Sequence, residues 1–297
     1  MKLRIHPATL AAVIVMTALI VGLPAERSRD ARSVVDFLVP FGTAVAIFAV
    51  VAIGLNVQWG YTGVFNFGVV GFFMVGAYVG AIFAKDPATG EFQRYIGGYG
   101  DALAFLPFLD SREWLPHLFG VLAAGVACAL VALILALPIL RLHEDYLAIT
   151  TIGIAEVLRR VAIEEHGLVN GTRGLAGIPR PFSGWVDPVD YKYVIFMVML
   201  VVLALVYVGV EGAARSPWGR VLRAVREDEQ AAAASGKDVF AFKLQAFVFG
   251  AVLMGMGGAV YGYEQGAISP DTFTHFFGTF LIWTMLIVGG AGNNAGA

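Results

Sequence analysis

The sequence predicts an all-α fold, a polytopic transmembrane helical bundle of about eight membrane segments, some of them short or broken. Apolar residues make up 58 % of the 297-residue chain and charged residues only 14 %, against about 45–50 % and about 25 % in a water-soluble domain. Windows without Asp, Glu, Lys or Arg occupy 5–25, 37–84, 115–140, 193–210, 244–263 and 272–297, and each is long enough to cross a bilayer. None shows the period-2 alternation of a membrane β-barrel strand.

Along the chain, the first window follows a basic start, Lys2 and Arg4. With further spans behind it, it reads as a retained first helix rather than a cleaved signal peptide. The second window has room for two helices with a break, and Gly60-Tyr61-Thr62-Gly63 is where the break belongs. Segment 146–161 is apolar only until Glu156 and Arg159, too short for an ordinary span, so it is expected as a short or re-entrant helix. Outer loops at 85–114 and 159–192 carry Gly, Pro and mixed charge and read as irregular connections. One membrane domain over 1–297, with a cytoplasmic segment at 211–243, is the simplest organisation.

Placing the N-terminus in the cytoplasm makes the inner segments the denser in Lys and Arg, although the longer outer loops hold more of them. Cys128 is the single cysteine, which excludes an internal disulfide and a cysteine-based metal site. A net charge of −2 favours no nucleic-acid partner.

The segment 211–243 is the most informative. Ser216 before Pro217 reads as an N-cap with proline in the first helical turn. Good helix formers follow, Arg223 and Glu227 stand four residues apart, and Ser235-Gly236 supplies a C-terminal stop. A continuous helix over 217–235 is expected. One reading is a solvated loop helix. The other is a docking helix, in which the small residues Ala224, Ala231, Ala232 and Gly236 leave backbone open to a partner and Arg220, Arg223 and Arg226 present forked donors.

The stretch GRVLRAVREDEQAAAASGKDVFAFKLQAF (219–247) resembles the coupling segment in permease subunits of branched-chain amino-acid ABC importers, the LivM-like branch. So do GLNVQWGYTGVFNFGVVGFFMVGAY (54–78), LHEDYLAITTIGIAEVLRRV (142–161) with LVNGTRGLAGIP (168–179), and ISPDTFTHFFGTFLIWTMLIVGGAGNNAGA (268–297). The resemblance covers most of 37–297. Family members continue past the Gly-Gly-x-Gly turn, here Gly289 to Gly292, so the resemblance implies a chain that stops short of the family's full length.

That resemblance implies a non-enzymatic transport subunit of a bacterial-type inner (plasma) membrane. Its partners would be the lipid bilayer, a sister permease, two cytoplasmic ATPase subunits and an extracytoplasmic substrate-binding protein. It places Arg220, Arg223, Ala224, Glu227, Ala231, Ala232 and Gly236 at the ATPase interface. No cofactor is expected on this chain, and ATP would be used by the partners. In agreement, no phosphate-loop motif occurs: Gly236-Lys237 is followed by Asp238.

Asn56, Tyr61, Thr62, Gly63 and Asn66 surround the expected break, and Thr150 and Thr151 lie in the short segment. Helix ends with Thr, Asn and Gly supply donors and acceptors for a zwitterionic amino acid without fixed charge. The same residues also suit a short cytoplasmic turn between two ordinary helices. Glycines 76 and 80 read as packing residues, and the Gly258–Gly262 spacing suits a close helix contact, with the sister permease as one partner.

Permeases for urea or short-chain amides share these features and remain the alternative within the class. An ion-coupled secondary transporter would show paired intramembrane carboxylates, whereas only Glu156 qualifies. An intramembrane enzyme is disfavoured, since neither His-Glu-x-x-His nor Gly-x-Ser-x-Gly occurs.

Overall fold

The computed structural model describes residues 31–85, 115–187 and 190–296. The window 5–25 and most of the loop 85–114 lie outside the described residues. The chain is an α-helical integral membrane protein: four helical stretches, Phe37–Gly60, Leu115–Ile139, Tyr191–Arg215 and Val239–Gln265, have the length and composition of membrane spans. At 24 to 27 residues, they reach about 36–40 Å, beyond the roughly 30 Å hydrocarbon layer.

In chain order the helices are α1 (Ala31–Leu55), α2 (Val69–Ala84), α3 (Leu115–Ile139), α4 (Glu144–Glu164), the single turn α5 (His166–Val169), α6 (Tyr191–Arg215), α7 (Pro217–Glu227), α8 (Glu229–Ala234), α9 (Val239–Gln265) and α10 (Leu281–Gly289). Helix α9 is central and packs against α1, α2 and α3, while α6 leans on α1 and α4 on α2. Two short strands, β1 (Leu175–Ala176) and β2 (Ala267–Ile268), pair antiparallel at the end of the bundle away from α7. At that same end Lys85 Nζ donates to Ala176 O at 2.8 Å, and His117 Nε2 lies 2.9 Å from Pro179 O.

Glycine sets the helix spacing. A Cβ at Gly76 would overlap the backbone of Gly255, and one at Gly258 would overlap Phe73 O. Where lipid removes the hydrophobic drive between helices, small residues allow the close approach that dispersion needs. Gly76 and Gly80 are therefore packing residues, as expected. The Gly258–Gly262 face meets Phe73 and Ala77 of α2, so the close helix contact expected at that spacing is made within this chain.

Two expectations need correction and a third is refined. Segment 146–161 lies within a 21-residue helix, α4, because its charged end continues the helix, and α4 is not among the helices apolar enough to be a membrane span. There Glu156 accepts from Arg159 Nη2 at 2.9 Å and from Arg160 Nε at 3.2 Å, with His275 Nε2 at 3.7 Å. The expected continuous helix over 217–235 is two helices. Asp228 is extended (φ −158°), and its carboxylate accepts from the backbone N–H of Gln230 and Ala231, each at 2.9 Å. An aspartate N-cap outcompetes helix continuation there. Finally, Ser216 occupies the N-cap position of α7 without capping it, since its hydroxyl donates back to Ala213 O at 2.7 Å.

Candidate functional site

Two regions meet at the α7 end of the bundle: the broken segment between α1 and α2, and the amphipathic pair α7 and α8. The break is present where the glycines predict it. A π-helical turn at Asn56–Gly60 extends α1, Gly63 is left-handed (φ 78°), and the chain then runs without helical structure to Gly68. Irregular backbone inside a membrane protein must find its partners within the protein, and here it does.

Tyr61 N–H bonds Asn56 O at 3.0 Å, Gly63 N–H bonds Trp59 O and Val64 N–H bonds Gln58 O, both at 2.9 Å. Farther on, Phe67 N–H donates to Thr151 Oγ1 at 3.0 Å and Gly68 N–H to Asn66 Oδ1 at 2.8 Å. Trp283 Nε1 donates to Asn66 O at 3.0 Å, and Thr279 Oγ1 to Phe67 O at 3.2 Å. Asn66 Nδ2 reaches Gln58 Oε1 at 2.8 Å, and Gln58 Nε2 reaches Phe247 O on α9 at 2.7 Å.

A second polar node closes the start of the break. Asn56 Nδ2 donates to Asn294 Oδ1 at 2.8 Å and Asn56 Oδ1 accepts from Gly292 N–H at 2.8 Å, so the chain beyond α10 folds back onto the π turn. Asn294 Nδ2 continues to Glu211 Oε2 on α6 at 2.9 Å, and Glu211 pairs with Arg215 at 2.7 Å.

Of the seven pathway candidates, Asn56, Tyr61, Thr62, Asn66 and Thr151 are buried, while Gly63 and Thr150 are partly exposed. Thr62 Oγ1 bonds Val57 O at 2.9 Å, and Thr151 Oγ1 also donates to Ala148 O at 2.9 Å. Asn66 and Thr151 border a small crevice with Gly68, Phe72, Leu135 and Phe247. Beside it, Trp59, Phe65 and Phe67 stand around Trp283, the Phe67 and Trp283 rings stacked with centroids 4.4 Å apart.

The amphipathic pair presents a consistent outer face. On α7 Arg220, Ala224 and Glu227 are exposed at spacings of three and four residues, Ala231 is exposed on α8, and Gly236 is exposed and left-handed (φ 77°). Gly219, Leu222 and Val225 form the buried face of α7. Two of the seven coupling candidates deviate. Ala232 is buried, and Arg223 donates through Nη2 to Ala214 O at 3.0 Å, closing the end of α6 rather than pairing with Glu227.

Reading the sequence alone placed Gln58 near the break and Arg226 among the docking donors without giving either its role at the break, and missed Glu211, Thr279, Trp283 and Asn294. A signal existed for Arg226, which stands four residues after Leu222 and so borders the buried face of α7, its side chain 40 % exposed. Polar residues closing an apolar run, as Asn293 and Asn294 do, were a second signal.

The family model for the permease component of branched-chain amino acid transport systems matches residues 37–297. The chain is 29 % identical over 277 residues to the high-affinity branched-chain amino acid transport system permease protein LivM of Salmonella typhimurium, and equally to that of Escherichia coli. Each match covers 86 % of this chain and 59 % of the relative, so the chain spans about three fifths of their length. The probable branched-chain amino acid transport permease protein LivM of Methanocaldococcus jannaschii is 28 % identical over 272 residues, 84 % of this chain and 74 % of the relative. No solved structure is significantly similar. With a match that spans both the break and the amphipathic pair, the chain belongs to the permease-component family of branched-chain amino acid transport systems.

Proposed function

We propose that this chain is the permease subunit of an ABC importer that forms, with a sister permease, the translocation path for branched-chain amino acids. Two cytoplasmic ATPase subunits energise it and an extracytoplasmic binding protein delivers the solute. The family match over 37–297 is the observation that carries this reading. The family is one of transport permeases rather than enzymes, and the exposed Arg220, Ala224 and Glu227 of α7 with Ala231 of α8 fit a docked partner.

In this reading α7 and α8 lie in the cytoplasm, which also places the N-terminus there. The ATPase seats on the exposed face with Arg223 and Gly236 at its edges. The broken segment forms part of the wall of the path. Gly63 and Thr150 face it, the Trp59 and Phe65 rings offer apolar surface for an aliphatic side chain, and Asn56, Tyr61, Thr62, Asn66 and Thr151 hold the backbone from behind. Movement of the docked helices biases the packing between two arrangements.

Affinity purification from native membranes with mass-spectrometric identification tests the assembly. Co-purifying ATPase and sister-permease chains support it, and a homo-oligomer with neither refutes it. Uptake of leucine, isoleucine and valine against urea and short amides by the reconstituted complex tests the substrate class.

A further inference from the structure

Arg226 differs from the other basic residues of the amphipathic pair. Arg220 is exposed and Arg223 closes α6, whereas Arg226, itself exposed and with Nη2 3.8 Å from Glu227 Oε1, donates through Nη1 across the fold to Gly60 O, the last carbonyl of the π turn. That carbonyl has lost its helical partner: the N–H groups of Gly63 and Val64 turn to Trp59 and Gln58 instead. A helix C-terminus carries partial negative charge, and a guanidinium is well suited to an orphan carbonyl there.

Glycine is required at both crossing points. A Cβ on Gly60 would overlap Asn56 Oδ1, and one on Gly292 would come within 3.0 Å of Arg226 Nη1 and 3.1 Å of Gly60 O. Helix α7, the π turn and the segment after α10 therefore meet at one guanidinium. The other contact of α7 with the π turn is apolar, Leu222 packing in a cluster with Ile53, Val57 and Tyr61, while Trp218 Nε1 and Arg223 Nη2 donate to Gln245 Oε1 on α9 and Ala214 O on α6. Apolar contacts are non-directional, but a charge-assisted hydrogen bond fixes both distance and direction.

We propose that Arg226 is the positioning residue that ties the amphipathic pair to the broken segment, so that displacement of α7 pulls on the Gly60 carbonyl and moves the non-helical backbone 61–68. This rests on the reading of α7 and α8 as the ATPase dock.

The test uses the whole transporter, purified with its ATPase partners and reconstituted in proteoliposomes, with labelled leucine uptake and phosphate release measured in parallel. Arg226→Ala is expected to assemble and to hydrolyse ATP much as the unmodified complex does, while uptake falls at least about tenfold, the weight of one charged hydrogen bond. Arg226→Lys, which keeps a cationic donor, is expected to recover much of the lost uptake. An unchanged ratio of uptake to hydrolysis in Arg226→Ala overturns the proposal. So does loss of hydrolysis and partner binding in step with uptake, which would make Arg226 part of the dock.

Hydrogen exchange on the chain alone in nanodiscs gives an independent reading. Exchange at the Gly63 and Val64 amides should rise at least about tenfold in Arg226→Ala, with the α9 amides unmoved. Unchanged rates at those two amides refute the tie. If the unmodified chain purifies without any ATPase, the importer reading fails while the exchange result still decides the link to the break.

Discussion

Asn66→Ala is the sharpest test of how the break is held. Removing the carboxamide leaves two buried groups without partners: Gly68 N–H loses Asn66 Oδ1 at 2.8 Å, and Gln58 Oε1 loses Asn66 Nδ2 at 2.8 Å. An orphaned buried donor or acceptor costs about 1–3 kcal/mol, so the pair sets a range of about 2–6 kcal/mol. Gln58 keeps its bond to Phe247 O, and relaxation into the adjoining crevice recovers part of the loss. We expect a loss of about 2–4 kcal/mol, which corresponds to a fall of about 5–15 °C in Tm. The assay is tryptophan fluorescence in nanodiscs at one scan rate, since irreversible unfolding makes Tm depend on rate. Trp283 bonds Asn66 O directly and reports on the site. Asn293→Ala is the control, because among the described residues its side chain bonds only the exposed Ala295 N–H, and it should stay within about 0.5 kcal/mol. An Asn66→Ala midpoint within about 2 °C of the unmodified chain would refute the view that these bonds hold the break.

Other outcomes follow from the same geometry. Gly76→Val should prevent close packing of α2 on α9 and lower the yield of inserted, monodisperse protein, whereas Gly209→Ala, with no atom within 4 Å of the added carbon, should purify normally. Asp228→Ala removes the cap of α8 and should cost about 0.5–2 kcal/mol, seen as faster exchange confined to 229–234. Glu227→Arg and Gly236→Trp should each abolish coupled uptake while leaving the chain membrane-inserted; normal uptake by both would refute the docking face. Glu156→Gln should change stability by no more than about 1 kcal/mol, measured by the same thermal assay, because the carboxylate is 36 % exposed and its ion pairs are screened.

Local chemistry made much of this protein legible. Composition and uncharged windows located the four long helices, because a bilayer sets the length and polarity of anything that crosses it. Glycine at 60 and 63 marked the break, since a left-handed residue and a close backbone approach both exclude a side chain. The set proposed for the outer face came from the family resemblance, and it included Ala232, which the fold buries. Where local signals competed, the reading failed. A run of helix formers concealed the Asp228 cap, and Ser216 carried the right chemistry for a cap it does not make.

The sequence by itself determined that the chain is a helical membrane protein, where its longest apolar window breaks, and which family it resembles, because these follow from polarity, turn chemistry and motif order along the chain. Only the tertiary structure decided which polar groups meet. Asn56 with Asn294, Asn66 with Trp283 and Arg226 with Gly60 are separated by 238, 217 and 166 residues. No local preference specifies such pairs. They form because a non-helical backbone buried away from water takes whatever donors and acceptors the packed helices bring within reach.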